Sequence, residues 1–231
     1  QDAAQIICWE VLALITVRAR FSKTGEASYI SLLDLQRVFQ RALKRSGIPV
    51  WYTQGFNPHI YMTFSAPLPL GQESVAECVD FKTEDENYDW TAAAQQLSEC
   101  LPKGIDVLRI EPVRTDSSAI ALARYEITYE PDWAQRAARA YSTFAAASSA
   151  SVEKKGKRTV KTIDLKQYTD VESARETADG FILSVFLPAG GELTINPALL
   201  TDYLKGLADL EGAVPRILRT ALYTKNKEVF V

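Results

Sequence analysis

Residues 15–47 read ITVRARFSKTGEASYISLLDLQRVFQRALKRSG, and the fold is decided by how this stretch is parsed. Ile15–Ser22 alternates apolar and polar side chains, with Ile15, Val17, Ala19 and Phe21 on one side. That is the pattern of a strand half-buried against a core. Lys23-Thr24-Gly25 makes a turn, and Ser31 stands three residues before Asp34 as an N-cap with an acidic first turn. Leu35, Val38, Phe39, Ala42 and Leu43 then recur at helical spacing until Gly47 supplies a stop. The other side of that helix carries Arg37, Arg41, Lys44 and Arg45.

Working outward, Pro49–Tyr52 continues past Gly55 to Leu68 as an extended segment, and Glu73–Lys82 forms another after the turn Pro67–Gly71. Asp89 caps a second helix with Trp90, Ala94, Leu97 and Leu101 inward; Pro102-Lys103-Gly104 ends it, and Ile105–Val113 is a fourth strand. After the linker Thr115–Ser118 the order returns. Ala121–Tyr129 alternates, with Ala123, Tyr125, Ile127 and Tyr129 inward, and Pro131-Asp132 opens an alanine-rich helix. Val152–Leu165 and Phe181–Leu187 are extended, Asn196-Pro197 starts a helix with Leu199, Leu200, Tyr203, Leu204 and Leu207 as its stripe, and Arg216–Tyr223 is the last strand. The expectation is an α+β protein of two tandem ferredoxin-like (βαββαβ) halves with mostly antiparallel sheets, offset by about 105–110 residues. The boundaries are an N-terminal extension at 1–14, a first half at 15–114 and a second at 120–231.

Composition narrows the function classes. The chain has 231 residues, 47% hydrophobic and 24% charged, with net charge −3 and pI near 5.4, so no global positive field draws it to nucleic acid. Any such attraction must come from local patches. Cys8, Cys78 and Cys100 are scattered and lack CxxC spacing, which argues against a disulfide framework, a zinc site and an iron–sulfur cluster and suits a reducing cytoplasm. The longest apolar stretch, Val11–Val17, is too short to cross a bilayer, and no basic region precedes it to make a signal peptide. A cytoplasmic protein without membrane contact is expected.

Arg20-Phe21-Ser22-Lys23-Thr24-Gly25, Ser31-Leu32-Leu33-Asp34, Arg41–Pro49, Gln54-Gly55-Phe56-Asn57-Pro58-His59 and Leu68-Pro69-Leu70-Gly71 with Glu73-Ser74 resemble, in that order, a bacterial family called the radical S-adenosylmethionine-linked protein. The second half fits more loosely, at Lys154–Lys157 and Ile163–Leu165. The resemblance implies a neighbour, a radical S-adenosylmethionine-type protein, and no activity. Where the family pattern reads SHLD, this chain has Leu32 in place of the histidine.

Three segments are candidate sites. Ser22, Lys23 and Gly25 lie in a strand-to-helix turn whose N–H groups can hold a phosphate, although a plain turn with a solvated lysine explains them equally well. Gln54, Asn57 and His59, the single histidine, lie in a Gly/Pro-shaped loop that either presents polar groups to a ligand or aims Phe56 into the core. Lys154, Lys155, Lys157, Arg158 and Lys161 make the densest basic run, read as a hairpin reaching a phosphate backbone or as an ordinary solvated tip. With Arg37, Arg41, Lys44 and Arg45 it can form a positive groove between the halves. One histidine assembles no catalytic set or metal site, and no cofactor is expected. The leading expectation is an accessory RNA-binding module working with a radical S-adenosylmethionine-type partner. The alternatives are a protein-docking module, or a small-ligand protein or enzyme with its site at the 22–25 and 54–59 loops.

Overall fold

Local signals set most of the helix ends in the computed structural model, which describes residues 14–85, 87–155, 160–191 and 193–230. Ser31 Oγ accepts from Asp34 N–H at 3.2 Å and donates to the Asp34 carboxylate at 2.8 Å, which starts α1 (Leu32–Ser46); Gly47, at φ 78°, ends it. Leu35, Phe39, Ala42 and Leu43 are buried along its inner side, each Leu or Phe contributing about 1.5–3 kcal/mol. Asp89 accepts from Thr91 and Ala92 N–H to cap α2 (Trp90–Glu99). Pro131 begins α3 (Pro131–Ala146), and Asn196 caps α4 (Pro197–Leu207), with Pro197 opening its first turn.

The strands are β1 (Ile15–Lys23), β2 (Met62–Ser65), β3 (Glu73–Thr83), β4 (Ile105–Pro112), β5 (Ile120–Tyr129), β6 (Ser151–Lys155), β7 (Val160–Asp164), β8 (Asp170–Thr177), β9 (Gly180–Pro188) and β10 (Arg216–Thr224). Eight of them form one sheet in the order β4-β1-β3-β10-β5-β9-β8, with β2 also paired to β3. Every pairing is antiparallel except β3 with β10, which run parallel through Leu218↔Glu73 and Arg219↔Ser74. β2 occupies the same edge of β3 further along, from Met62↔Phe81 to Ser65↔Cys78. Among the described residues the fold is thus mixed α+β with four helices and a mostly antiparallel sheet.

Two cores lie on this sheet. One gathers Val17, Ala19, Phe21, Val79 and Phe81 beneath α1 and α2; the other gathers Tyr125, Ile127, Tyr129, Leu183, Val185 and Leu187 beneath α3 and α4. The first is tightened by Phe21, Phe39 and Phe64, with ring centroids 4.8–6.1 Å apart.

Polar links stitch the two units at the start of β3. Gln72 Nε2 donates to Asn196 Oδ1 at 2.7 Å, Arg216 Nε to Glu73 Oε2 at 2.6 Å, and Arg219 to Glu77. A bulge makes the last contact possible. Phe21 pairs with Glu77 but Lys23 with Ser74, so the extra β3 residue keeps Ser74 and Glu77 on one side of the sheet, where Arg219 arrives opposite Ser74.

The second unit departs from expectation in one respect. The sequence pattern assigns residues 152–165 to the main sheet, but β6 and β7 pair only with each other. The strand beside β9 is β8, whose sequence DVESARET hides it: it is a sheet-edge strand with little burial, so no apolar alternation marks it. In the first unit only Met62–Ser65 of the extended 49–68 segment is strand, with an isolated bridge Tyr52↔Ile60. Residues 1–13 of the expected N-terminal extension lie outside the described residues.

Candidate functional site

The exposed side of α1 places Arg37, Arg41, Lys44 and Arg45 in solvent. Arg37 turns to Asp34 at 2.9 Å, and Asp34, held by Ser31 and then by Arg37, ionises below the usual carboxylate range. Arg45 donates to the carbonyl of Cys100 at the end of α2. Between the two helix ends lies a groove of about 580 Å³, with Arg41, Lys44 and Arg45 on one wall and Glu99, Cys100 and Leu101 on the other.

The segment after α1 divides its aromatic residues between two sides of the sheet: Tyr52, bridged to the buried Ile60, lies on the α1 side, whereas Tyr61, next to Met62 whose partner is Phe81, lies with Trp51 and Lys82 on the opposite side. Trp51 N–H donates to Lys82 O at 2.8 Å and Thr53 N–H to His59 O at 2.8 Å, which closes residues 53–59 into a loop beside β3. His59 Nδ1 lies 3.0 Å from Thr53 Oγ1 and 3.1 Å from Asn57 O, so the ring braces its own loop. Gln54, Asn57 and His59 are exposed. Phe56 is fully exposed, at 106% relative accessibility, so the reading that placed it in the core is corrected: the loop turns it outward. Lys44 Nζ lies 5.9 Å from the Tyr52 ring, and Lys82 Nζ lies 5.6 Å and 4.7 Å from the rings of Trp51 and Tyr61. Trp51, Tyr52, Tyr61 and Lys82 escape the sequence reading. The available signal was the density of aromatic residues at 51, 52, 56 and 61 directly after a basic helix.

The turn at 22–25 is closed. Lys23 is 2% exposed, and its ammonium donates to Ser28 O at 3.2 Å and Ile30 O at 2.8 Å. Burial lowers its pKa, opposed by Glu77 and abetted by Arg219. Ser22 Oγ lies 3.5 Å from Asp106. Thr24 N–H donates to Gly104 O, and Gly25 N–H to Glu73 Oε1. The lysine is therefore not solvated, and the amides of Thr24 and Gly25 already have acceptors. Nor do the 22–25 and 54–59 loops meet. The first is rooted opposite Ser74 and the second beside Lys82, at opposite ends of β3, roughly 25 Å apart at strand spacing.

The basic run lies on the β6–β7 hairpin of the second unit. Lys154 Nζ donates to Thr194 O at 2.6 Å and Lys161 is exposed; Lys155 ends β6, while Lys157 and Arg158 lie outside the described residues. The α1 cations line a groove within the first unit, whereas the cleft between the units carries Arg219 and none of them. Neither cavity is lined by both the α1 cations and the described lysines of the hairpin. Among the described residues no group of three or more His, Cys, Asp and Glu is placed to hold a metal ion, and no helix is long and apolar enough to cross a membrane.

Fold and surface together define a mixed α+β protein with a cation–aromatic face on its first unit. Residues 16–197 match the family described as "Uncharacterized protein conserved in bacteria (DUF2344)", and the chain belongs to that family. The description carries no activity or partner, so a radical S-adenosylmethionine-type neighbour rests on the motif resemblance alone. No curated protein matches the chain. A solved structure titled as a crystal structure of an unknown protein from Galdieria sulphuraria is similar at 12% identity, over 90% of this chain and 99% of that one, with a TM-score of 0.27. At that score the likeness bears on neither fold nor function.

Proposed function

We propose that the protein is an accessory module that binds single-stranded RNA on the outer face of its first unit. One observation carries this reading: Tyr52 and Phe56, at 36% and 106% exposure, lie in the segment that follows the basic helix, and Lys44 of that helix stands 5.9 Å from the Tyr52 ring. Exposed cation–π contacts are worth only about 0.5–1 kcal/mol, so a lysine can exchange its ring for a phosphate while a base takes the ring. Bases must be splayed out to stack on aromatic side chains, which favours a single strand over a duplex. In a chain of net charge −3 the attraction is local, confined to Arg41, Lys44 and Arg45.

We read the two units as tandem ferredoxin-like domains. Strand orders β4-β1-β3-β2 and β10-β5-β9-β8 support this, because corresponding strands take corresponding places. The test of the RNA reading uses a labelled oligouridylate, free or annealed to its complement, and the double variant Tyr52→Ala/Phe56→Ala. Preference for the free strand, with a loss of about 1–3 kcal/mol per stacked base in the variant, is the expected result. Equal affinity for duplex, or an unaffected variant, overturns it.

A second reading, docking on a radical S-adenosylmethionine-type partner, is favoured by Tyr29, Leu33 and Leu70, exposed at 74%, 59% and 61% around the start of α1. Leu32, at the position where the resembled family has histidine, adds to that corner. Leu33→Glu/Leu70→Glu would abolish capture of such a partner and leave RNA affinity unchanged if both readings hold.

A further inference from the structure

The seam between the units holds a cleft of about 430 Å³ lined by both. We propose that it binds a small organic monocarboxylate, with the carboxylate against Arg219 and Tyr125 and an apolar body between Phe64, Pro67 and Ile195.

Arg219 and Tyr125 border the cleft and are 1% and 2% exposed. Arg219 directs Nε, at 3.1 Å, and Nη2 to a single oxygen of Glu77, and it stands opposite Tyr125 of β5. A guanidinium presents five N–H donors in a fork that matches a carboxylate. Lys23 lies within electrostatic reach of Glu77 and Arg219, but its ammonium is held by Ser28 O and Ile30 O and it does not line the cleft.

The facing wall carries two features that cost stability without a ligand. Ser65 is 3% exposed and its Oγ has no partner, a cost of about 1–3 kcal/mol for a buried hydroxyl. Ala66, beside it, is held at φ 45°, a conformation that residues other than glycine seldom adopt. Both line the cleft. Unsatisfied polar groups and backbone strain gathered at one wall are characteristic of a binding site.

The charge around the mouth selects the ligand class. Asp116 lines the cleft; its carboxyl is held below the usual range by Ser118, so it opposes a second negative charge on the ligand. Lys154 lies behind the wall, bonded to Thr194 O. The start of α4 cannot take a phosphate: Pro197 has no N–H, Ala198 N–H donates to Asn196 Oδ1, and Leu199 N–H to Asn196 O. A monocarboxylate fits where a phosphate or a dicarboxylate does not.

The test is a titration of the full chain with benzoate, followed by amide and arginine Nε–H resonances, with inorganic phosphate and succinate as comparators. Because changing Arg219 breaks a buried pair, the variants are Ser65→Ala inside the cleft and Ser118→Trp at its mouth. Benzoate is expected to shift the signals of Arg219, Tyr125 and Gly190, about tenfold more weakly in Ser65→Ala and not at all in Ser118→Trp. Absence of those shifts, their persistence in Ser118→Trp, full affinity in Ser65→Ala, or equal shifts with phosphate or succinate overturns the proposal.

Discussion

The outer face of the first unit and the seam between the units both concentrate positive charge, but they hold it differently. On the outer face Arg41, Lys44 and Arg45 are exposed beside aromatic rings; at the seam Lys23 and Arg219 are 2% and 1% exposed and hydrogen-bonded. Charge in water can be redirected to a polyanion at little cost, whereas buried charge is fixed by the partners that compensate it. The outer cations are therefore suited to binding an extended partner, and the seam cations to fixing the geometry of the fold and its cleft.

The sharpest way to break this contrast is to remove one buried partner. Arg219→Leu takes from Glu77 the cation it is hydrogen-bonded to and is expected to cost about 3–5 kcal/mol in urea unfolding, much of it recovered in Arg219→Leu/Glu77→Leu. Replacing Arg41, Lys44 and Arg45 with Ala is expected to change stability by no more than about 0.5 kcal/mol. A seam variant as mild as the surface variant would erase the distinction.

A smaller effect comes from Cys78, buried near the seam, against Cys100, half-buried in the outer groove. Burial pushes the Cys78 thiol up to about 11, from 9.0. The folded state then keeps a proton that the unfolded chain loses. The thiol's contribution is complete below pH 9, falls as pH rises through 11, and is of order 2 kcal/mol. Cys78→Ala is expected to flatten the pH dependence of stability in that window relative to the unaltered chain; an identical slope would contradict the burial. Alkylation at neutral pH should label Cys100 faster than Cys78, and equal rates would remove the contrast.

Much of the outer face was legible because it rests on local rules. Ser31, Asp34 and Gly47 delimit α1, and its spacing places Arg37, Arg41, Lys44 and Arg45 outward, as found. Asp89 and Asn196-Pro197 mark helix starts for the same reason. The seam was not legible. Arg219 meets Glu77 through the parallel contact of β10 with β3 and a bulge, neither of which leaves a periodic trace in residues 142 positions apart. Lys23 reads as a turn lysine, and only the fold back of residues 28–30 over its ammonium shows it as buried. Phe56 misled in the opposite direction: an aromatic residue in a rigid loop suggests core, yet the closure of Thr53 onto His59 leaves it pointing away.

The most direct test of RNA binding on the outer face is fluorescence anisotropy of a labelled oligouridylate across a salt series, comparing the unaltered protein with Arg41→Ala/Lys44→Ala/Arg45→Ala. If these cations neutralise phosphates, affinity falls with salt, and the variant binds more weakly with a log–log slope shallower by about 0.7 for each phosphate it no longer neutralises. Equal affinity and equal slope in the two proteins, or no binding at low salt, would contradict the assignment of this face to RNA.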